Sequence, residues 1–382
     1  MPPPTPPPAA VVDLPGGRAY AVHFEPLREV ARHLREVGLP VGRALVVTDE
    51  TVGPLYLDAV RSSLAGAGWS AEALAVPAGE GSKSLATYGD VVDWALGRGI
   101  SRRTPVLALG GGVVGDLAGF AAATLLRGLP LVHLPTTVVA QVDSAIGGKT
   151  GVNHAAGKNL VGAFHQPRLV LADPATLATL ADRDLRSGLA EVVKHALLAD
   201  PSGAAGGPAD LVGRLERDWD RLVGRDEAVL ARVVRDAAAV KVRVVEADER
   251  EAGDRALLNF GHTFGHAVER EAGYGALTHG EAVALGMRAA LHLSASLRDG
   301  AVAGDALPAP FDRADALVVR LAPPALDPAV TDDQLTAAMA TDKKRTAGGL
   351  RFVVLDDIGR ARLAADVPDA AVAAAWRYAR TR

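Results

Sequence analysis

The chain has 382 residues, a hydrophobic content of 49% and a formal net charge of −4. A chain of this length is expected to form two domains, because a single core rarely grows beyond about 250–300 residues. The acidic balance argues against a nucleic-acid-binding protein, which typically carries a basic stripe. The sequence contains no cysteine, which excludes disulfides and thiolate metal sites.

The first ten residues, M-P-P-P-T-P-P-P-A-A, are rich in proline, which favours an extended tail. They have neither the basic region nor the apolar region of a signal peptide. The most apolar stretch, residues 106–126, is interrupted by glycines and by Asp116, so it is a poor membrane span. We therefore expect a cytoplasmic protein that binds neither membranes nor nucleic acids.

Strand-like and helix-like segments alternate after this tail, which predicts a parallel sheet covered on both faces, as in a Rossmann-like α/β domain. Strands are expected at residues 43–48, 74–76, 106–109, 131–134 and 169–171. After residue 173 the strand signals nearly vanish, and helical patterns cover residues 185–198, 227–249, 257–271 and 281–297, with one isolated strand at 350–355. The predicted divisions are a tail at 1–10, an α/β domain at 11–177 and a mostly α-helical domain at 178–382.

Lysine and asparagine are scarce, and their positions are informative. Of 41 basic residues only seven are lysine, and the chain has three asparagines. Four of these ten residues fall within residues 143–159, D-S-A-I-G-G-K-T-G-V-N-H-A-A-G-K-N. A lysine ammonium is a compact point charge, whereas the guanidinium of arginine is a planar fork, so the two are not interchangeable beside a phosphate or a reacting hydroxyl. The clustering favours chemistry over chance placement of surface lysines.

A glycine turn, G-G-G-V-V-G at residues 110–115, follows a predicted strand and opens a predicted helix. This arrangement lets a pyrophosphate approach the helix N-terminus, which places Gly112, Val113, Val114, Gly115 and Asp116 at a dinucleotide. The alternative is an ordinary tight turn, because the motif is not on the first strand and no acidic residue lies about 20 residues onward. Other polar residues that follow strands are also predicted to contact the cofactor: Asp49 or Glu50, Glu80 and Lys83, and Thr136 and Thr137.

Two further motifs contain residue types that bind phosphates or metal ions. The Gly-Lys-Thr at residues 148–150 is not a P-loop, because Asp143 occupies the position of its first glycine. His262 and His266 are four residues apart and share a helix face. With His279 and Glu191 on other helices, they could form a catalytic zinc site of two histidines and one carboxylate. The other histidines considered are predicted to be ordinary core or surface residues with hydrogen-bond partners and no chemical role: His23, His33, His133 and His292.

Together these segments resemble the 3-dehydroquinate synthase family. The resemblance runs in order through nearly the whole chain after the tail. It rests on residues 110–116 (G-G-G-V-V-G-D), 126–128 (L-R-G), 135–137 (P-T-T), 143–153 (D-S-A-I-G-G-K-T-G-V-N), 157–164 (G-K-N-L-V-G-A-F), 187–194 (S-G-L-A-E-V-V-K), 259–266 (N-F-G-H-T-F-G-H), 279–287 (H-G-E-A-V-A-L-G-M) and 342–344 (D-K-K).

The resemblance implies an NAD-binding α/β domain and a helical domain with a divalent metal, zinc or cobalt, held by Glu191, His262 and His279. His266 then becomes a proton-transfer residue rather than a ligand, and Glu251 a second acid/base group. Further NAD contacts are implied at Lys158, Thr176 and Thr179. Substrate contacts are implied at Asp143, Lys149, Asn159, Lys194, Lys241, Arg255 and Asn259, with Lys149, Lys194 and Lys241 also catalytic, at Lys343 or Lys344, and at Arg127, which could reach across a homodimer interface.

The implied reaction converts 3-deoxy-D-arabino-heptulosonate 7-phosphate into 3-dehydroquinate and phosphate. It proceeds through transient oxidation by NAD, β-elimination of phosphate, reduction and an intramolecular aldol closure, with no net redox change. Three alternatives remain: a sister sugar phosphate cyclase such as an aminodehydroquinate synthase, a metal-dependent alcohol or glycerol dehydrogenase, and a catalytically inactive scaffold or sensor.

Overall fold

The computed structural model describes residues 10–200, 208–273, 275–299, 306–343 and 350–381. The strands of these ranges are β1 (Ala10–Val12), β2 (Tyr20–Phe24), β3 (Arg43–Asp49), β4 (Ser70–Val76), β5 (Val106–Gly110), β6 (Leu131–Pro135), β7 (Lys149–His154), β8 (Gly157–Phe164), β9 (Leu169–Ala172), β10 (Phe352–Asp357) and β11 (Arg360–Ala364). The α-helices are α1 (Val30–Glu36), α2 (Gly53–Gly66), α3 (Leu85–Leu96), α4 (Gly112–Thr124), α5 (Asp182–Leu198), α6 (Leu211–Val223), α7 (Glu227–Ala247), α8 (His262–Glu271), α9 (His279–Asp299), α10 (Ala309–Val319), α11 (Asp332–Lys343) and α12 (Asp369–Arg380).

Contacts within the chain divide it into two compact units. The first comprises Met1–Leu180 and Leu230–Arg250, and the second Ala181–Val229 and Glu251–Arg382. Among the helices of the described ranges, none combines the length and apolar character that a membrane crossing requires.

The first unit is built on a seven-stranded sheet in the order β1-β2-β9-β6-β5-β3-β4. Only β1 and β2 pair antiparallel, and every other neighbouring pair is parallel. All five strands predicted in this region are present. The sequence did not indicate β1 and β2, which lie at one side of the sheet, or the separate antiparallel pair β7–β8.

The sheet is buried on both faces. Along β3, Leu45 and Val47 join a core with α3 and α4, whereas Ala44 and Val46 join a second core with α1 and α2. This two-sided burial explains why the strands read as continuous apolar runs rather than alternating patterns. The α/β class predicted from the alternation of elements is confirmed.

In the second unit α9 is the central helix, and α5, α8, α10 and α12 pack against it. The antiparallel pair β10–β11 also contacts this helix through β10. The prediction of one helix over residues 257–271 was wrong. A 3₁₀ helix, Asp254–Asn259, ends before α8 begins at His262, because Gly261 between them has a left-handed φ of 78°.

Helix α7 departs from the predicted division, which placed all of residues 178–382 in one helical domain. Residues Leu230–Arg250 group with the first unit instead. The physical reason lies in its buried face, where Ala238, Val242 and Val245 pack with Val12 and Val170 of the first unit. An amphipathic helix shows which residues it buries but not which core receives them.

Candidate active site

The glycine turn of the first unit lies at a topological switch point of the sheet. From β3 the chain first adds β4 on one side, and then adds β5 on the other side. In open α/β sheets ligands bind at the carboxyl ends of the strands where the order reverses in this way. Gly110–Gly115 follows β5, and Asp49 ends β3, so both predicted dinucleotide contacts lie at this point.

The turn requires glycine for steric reasons. A Cβ atom at Gly110 would lie 2.8 Å from the Val114 side chain, and one at Gly111 would lie 3.0 Å from Cγ2 of Thr137. The turn leads directly into α4, whose first residue is Gly112. A helix N-terminus offers free N–H groups and a positive dipole end, so the residues present fit a pyrophosphate.

The other residues predicted to contact the cofactor also follow parallel strands at this edge. Asp49 caps the next turn, where one carboxylate oxygen accepts the N–H groups of Thr51 and Val52 at 2.8 Å each. Glu50 is exposed. Thr136 and Thr137 directly follow β6, and the segment that contains Thr176 and Thr179 follows β9.

The hydroxyl groups of Thr176 and Thr179 already have partners within the first unit. Oγ1 of Thr176 donates to the backbone oxygen of Asp173 at 2.7 Å, and Oγ1 of Thr179 lies 2.6 Å from the hydroxyl of Tyr56. The structure therefore places both threonines at the predicted edge but engages their side chains in local bonds.

Lys83 is the centre of a polar network. Its ammonium is buried and contacts the carboxylate of Asp116 and the amide oxygen of Asn159. The network thus joins two predicted cofactor residues to a predicted substrate residue. Burial raises the pKa of Asp116, although the Lys83 charge opposes this shift.

Asn153, for which the sequence predicted no role, extends this network. Its amide donates to Glu80 at 2.7 Å, and its side-chain oxygen accepts the backbone N–H of Asn159 at 3.0 Å. Asn159 has a left-handed φ of 56°, a conformation that asparagine tolerates better than most residues. The scarcity of asparagine in this chain was the available signal for Asn153.

The other predicted substrate residues of the first unit are more dispersed. The ammonium of Lys241 on α7 contacts the carboxylate of Asp143. Lys149 begins β7 and is exposed, and Lys158 lies on β8. Arg127 is exposed and has a left-handed φ of 68°.

Three predicted metal ligands converge in the second unit. Glu191 on α5 is fully buried, and its Oε1 lies 3.6 Å from Nε2 of His262 and 3.4 Å from Nε2 of His279. The ligand atoms of the three residues all lie within 4.8 Å of one another. Ligands of a tetrahedral zinc ion, bonded at about 2.0–2.1 Å, lie roughly 3.3–3.4 Å apart, so these spacings fit a divalent ion.

The histidine rings are oriented by groups on their far sides. Nδ1 of His279 lies 3.5 Å from Glu269, and Nδ1 of His262 lies 3.2 Å from the backbone oxygen of Phe260. The Nε2 atoms are left facing Oε1 of Glu191, the orientation in which the two rings could bind an ion together with this carboxylate. No sequence motif indicated Glu269, although it lies three residues after His266 on the same helix.

The two imidazoles differ electrostatically. Burial, followed by the nearby Lys194 charge, holds the pKa of His262 well below its usual range, so its ring is neutral. Burial also lowers the pKa of His279, but hydrogen bonds to Glu191 and Glu269 outweigh it and raise the pKa to about 10. Binding of a metal ion by His279 must therefore displace a proton.

His266 lies beside this cluster, with its ring centroid 5.4 Å from that of His262 and 6.4 Å from that of His279. The group whose ligand atoms lie close enough together to share one ion consists of Glu191, His262 and His279, without His266. The initial inference that both histidines of α8 could ligate is thus less favourable than the ligand set that the resemblance implied.

The remaining predicted residues of the second unit lie on α5, on α11, and on or just before the 3₁₀ helix Asp254–Asn259. The Lys194 ammonium contacts Glu191. Asn259 donates to Glu251 at 3.0 Å, and Arg255 is buried on the same 3₁₀ helix as Asn259. Lys343 is the last described residue of α11, and Lys344 lies outside the described residues.

Comparison with known proteins decides the family. A family model described as the 3-dehydroquinate synthase N-terminal domain matches residues 73–187, and one described as the C-terminal domain of the same enzyme matches residues 188–345. The chain belongs to the 3-dehydroquinate synthase family. A 3-dehydroquinate synthase of Salinibacter ruber is 52% identical over 99% of this chain and 99% of its own length.

Solved structures agree with membership of the 3-dehydroquinate synthase family. The 2-epi-5-epi-valiolone synthase of Streptomyces hygroscopicus, solved with NAD⁺ and Zn²⁺ bound, aligns with a TM-score of 0.82 and 33% identity over 94% of this chain and 96% of that one. A 2-deoxy-scyllo-inosose synthase complexed with carbaglucose-6-phosphate, NAD⁺ and Co²⁺ aligns with a TM-score of 0.81 and 25% identity over 94% of this chain and 97% of that one.

Proposed function

We propose that this chain is a 3-dehydroquinate synthase, which converts 3-deoxy-D-arabino-heptulosonate 7-phosphate into 3-dehydroquinate and inorganic phosphate. The observation that carries the proposal is the buried Glu191–His262–His279 cluster in a chain that is 52% identical to a 3-dehydroquinate synthase over nearly its full length. A metal-dependent cyclization of an anionic sugar needs both such a cluster and several cations. This role belongs to the shikimate pathway.

The cofactors follow from the donor sets and from the relatives. Glu191, His262 and His279 would hold Zn²⁺ or Co²⁺, and the glycine turn after β5 would hold NAD. When bound, the ion supplies Lewis acidity and the nicotinamide reversibly accepts a hydride, so the reaction needs no external oxidant. The residues of the chain must bind the substrate, orient it and move its protons.

Cations and amides bind the two anionic groups of the substrate. In this assignment Lys149, Asn159 and Asn259 contact it, together with the buried guanidinium of Arg255. Charge-assisted hydrogen bonds to carboxylate and phosphate oxygens are stronger than neutral ones. The proposed further contacts are Asp143, Lys194, Lys241, and Lys343 or Lys344.

Proton transfer is assigned to an imidazole nitrogen of His266 and to the carboxylate of Glu251. The Asn259 amide donates to Oε1 of Glu251 at 3.0 Å, which restricts the orientation of the carboxylate. Lys241 and Asp143 form a charged pair that can hold a substrate hydroxyl in place.

The decisive experiment measures phosphate and NADH in the same reaction. Purified protein with NAD⁺, Zn²⁺ and the heptulosonate phosphate should release phosphate while NADH does not accumulate. Steady growth of NADH would indicate an alcohol or glycerol dehydrogenase instead. A protein that releases no phosphate from any sugar phosphate tested, yet binds zinc, would support the inactive scaffold.

An aminodehydroquinate synthase is the second candidate, because an amino analogue carries the same phosphate and carboxylate. The high identity to a 3-dehydroquinate synthase over 99% of both chains favours the hydroxyl substrate. Competition between the two substrates in the phosphate assay distinguishes them, and a higher kcat/KM for the amino analogue would reverse the assignment.

We also propose a cytoplasmic homodimer in which Arg127 contacts the phosphate bound by the partner subunit. Leu126 and Arg127 both have left-handed backbone conformations, with φ of 49° and 68°, and both are exposed. Strained residues of this kind often mark ligand contacts. Mixing inactive Arg127→Ala and Glu191→Ala chains should restore about a quarter of the wild-type activity if each site takes its arginine from the partner. No recovery in proven heterodimers would place Arg127 in its own subunit's site.

A further inference from the structure

A second cluster with metal-binding chemistry lies in the first unit, where β2 leads into α1. His23 on β2, Glu25 just after it and His33 on α1 offer ligand atoms that all lie within 4.8 Å of one another. Nδ1 of His23 is 3.5 Å from Oε1 of Glu25, and Nε2 of His33 is 3.4 Å from Oε2 of Glu25. These spacings match those of the Glu191 cluster.

Both histidines of this cluster are buried, and Glu25 is partly buried. His23 is 6% exposed and His33 is 1% exposed. Within the described part of the chain, Nδ1 of His23 is a buried atom with no hydrogen-bond partner. Buried polar atoms in proteins almost always have a partner, and an unexplained one points to an ion or a water.

The tautomer of His33 that its contacts favour is also the one that suits a metal ligand. Its Nδ1 lies 3.1 Å from Oε2 of Glu36, so this nitrogen carries the ring proton. The lone pair is then on Nε2, the atom that faces Glu25. A carboxylate that fixes the tautomer from behind is the usual second partner of a metal-bound histidine.

We propose that His23, Glu25 and His33 form a second binding site for a divalent ion of the zinc class. Two imidazoles and one carboxylate are the donor set that zinc and cobalt prefer, and three protein ligands leave one position for water. The ion would fasten the end of β2 to α1 in the first unit. This role is independent of the proposed reaction.

Arg32 is the competitor for this site. Its guanidinium contacts Glu25 and lies 3.2 Å from Nε2 of His33, where the ion would bind. Arg32 also pairs with Glu29 at 3.2 Å and Glu36 at 3.1 Å, so it keeps carboxylate partners when it leaves Glu25. The proposal therefore predicts that removal of this guanidinium strengthens metal binding.

The test counts metal ions in a Glu191→Ala background, where the other cluster is disabled. Equilibrium dialysis against Zn²⁺ with elemental analysis should find about one ion per chain, and about two in the otherwise unchanged protein. His33→Gln in the same background should weaken this binding more than tenfold. His154→Gln, at an exposed histidine of β7, should bind as the background does.

Arg32→Ala makes the test independent of any loss of folding, because it removes a partly exposed side chain and its expected effect is a gain. Zinc affinity in the Glu191→Ala background should rise at least fivefold, and zinc should raise the Tm further than it does with Arg32 present. No zinc in the Glu191→Ala chain, or unchanged or weaker binding in Arg32→Ala, would overturn the proposal. Phosphate release at saturating Zn²⁺ should be unaffected by His33→Gln, so failure here is separable from failure of the proposed reaction.

Discussion

Lys149 is the residue on which the preference for lysine over arginine can be tested. It begins β7 and follows Gly148, whose φ is 68° and where a Cβ would lie 2.7 Å from the Gln166 amide. This restricted backbone fixes where the ammonium can reach. Lys149→Arg keeps the charge but places a planar fork where the proposed substrate contact needs a point charge. We expect kcat/KM for phosphate release to fall about a hundredfold, as misplacement of a positioning group does.

The matched control is Arg168→Lys, the converse change at an exposed position of the same unit. It should leave the rate within error of the wild type. Retention of most activity by Lys149→Arg would mean that the scarcity of lysine is compositional and not chemical.

Glu269 offers a second test at this scale, because in the proposed site it would orient the metal ligand His279 without binding the ion itself. Its carboxylate lies 3.5 Å from Nδ1 of His279. Glu269→Gln should weaken zinc affinity about 10–100-fold, as loss of an outer-shell carboxylate does. Activity should return when zinc is added in excess. Glu271→Gln, on the same helix, is the control, and equal losses in both variants would argue against an orienting role.

Individual functional residues could be predicted from the sequence where their residue type is rare in this chain. The scarcity of lysine and asparagine singled out Lys83 and Asn159 as candidates for a chemical role. Only the structure shows that the Lys83 ammonium joins Asp116 to Asn159. The sequence predicted no role for Asn153 or Glu269. A side chain that only positions another side chain does not belong to a sequence motif of fixed spacing, so no pattern reveals it. The pairing of His23 with His33 was likewise invisible, since β2 itself was not predicted.

At the scale of elements, the approach of α5 to α9 depends on one glycine. A Cβ at Gly280 would lie 1.9 Å from the backbone oxygen of Ser187. Gly280 directly follows His279, and Ser187 lies one turn before Glu191 on α5. The two helices can thus bring Glu191 and His279, the proposed metal ligands, close together only because this position lacks a side chain.

We expect Gly280→Ala to force these helices apart, since a backbone atom cannot yield as a flexible side chain can. The free energy of unfolding should fall by about 3 kcal/mol, typical of an overpacked core, and zinc affinity should fall with it. Gly89→Ala in α3 is the control, because no heavy atom lies within 4 Å of its added Cβ. That change should be neutral or stabilising by up to about 1 kcal/mol. Unchanged zinc affinity in a folded Gly280→Ala protein would contradict this account.

The elements that the sequence missed share a physical cause. Strands β7 and β8 are rich in glycine, and a Cβ at Gly151 would lie 2.6 Å from the backbone oxygen of Val161. Such strands pair closely but lack the branched, alternating residues by which strands are recognised. By contrast, β3, β5 and β6 were predicted because burial on both faces gives continuous apolar runs.

At the scale of the whole molecule, length and composition suggested two divisions but could not assign α7. Its apolar face packs with Val12, Tyr20 and Val170, which are remote in sequence. A pattern of apolar residues specifies that a face is buried, whereas the identity of its partner depends on the complete fold. The assignment of Leu230–Arg250 to the first unit therefore required coordinates.

The stability of the first unit should depend on pH through His133, which lies in the centre of the sheet on β6. Burial, aided by the neighbouring His165 ring, lowers the pKa of His133 to about 4, whereas an unfolded histidine has a pKa of about 6.5. Between these values the unfolded chain binds a proton that the folded chain does not. Stability from this residue is therefore complete above about pH 6.5 and falls as the pH drops toward about 4.

The contribution of His133 to the free energy of unfolding should decrease by about 2 kcal/mol between about pH 7.5 and pH 5. Guanidinium unfolding at both pH values measures this loss in the wild type. His133→Gln removes the titrating ring. The free energy of unfolding of this variant should therefore fall by about 2 kcal/mol less than that of the wild type between about pH 7.5 and pH 5. This comparison holds whatever the stability of the variant at neutral pH. His154→Gln, at an exposed position, should retain the wild-type dependence. Identical pH dependence in the wild type and His133→Gln would show that folding does not lower the pKa of His133.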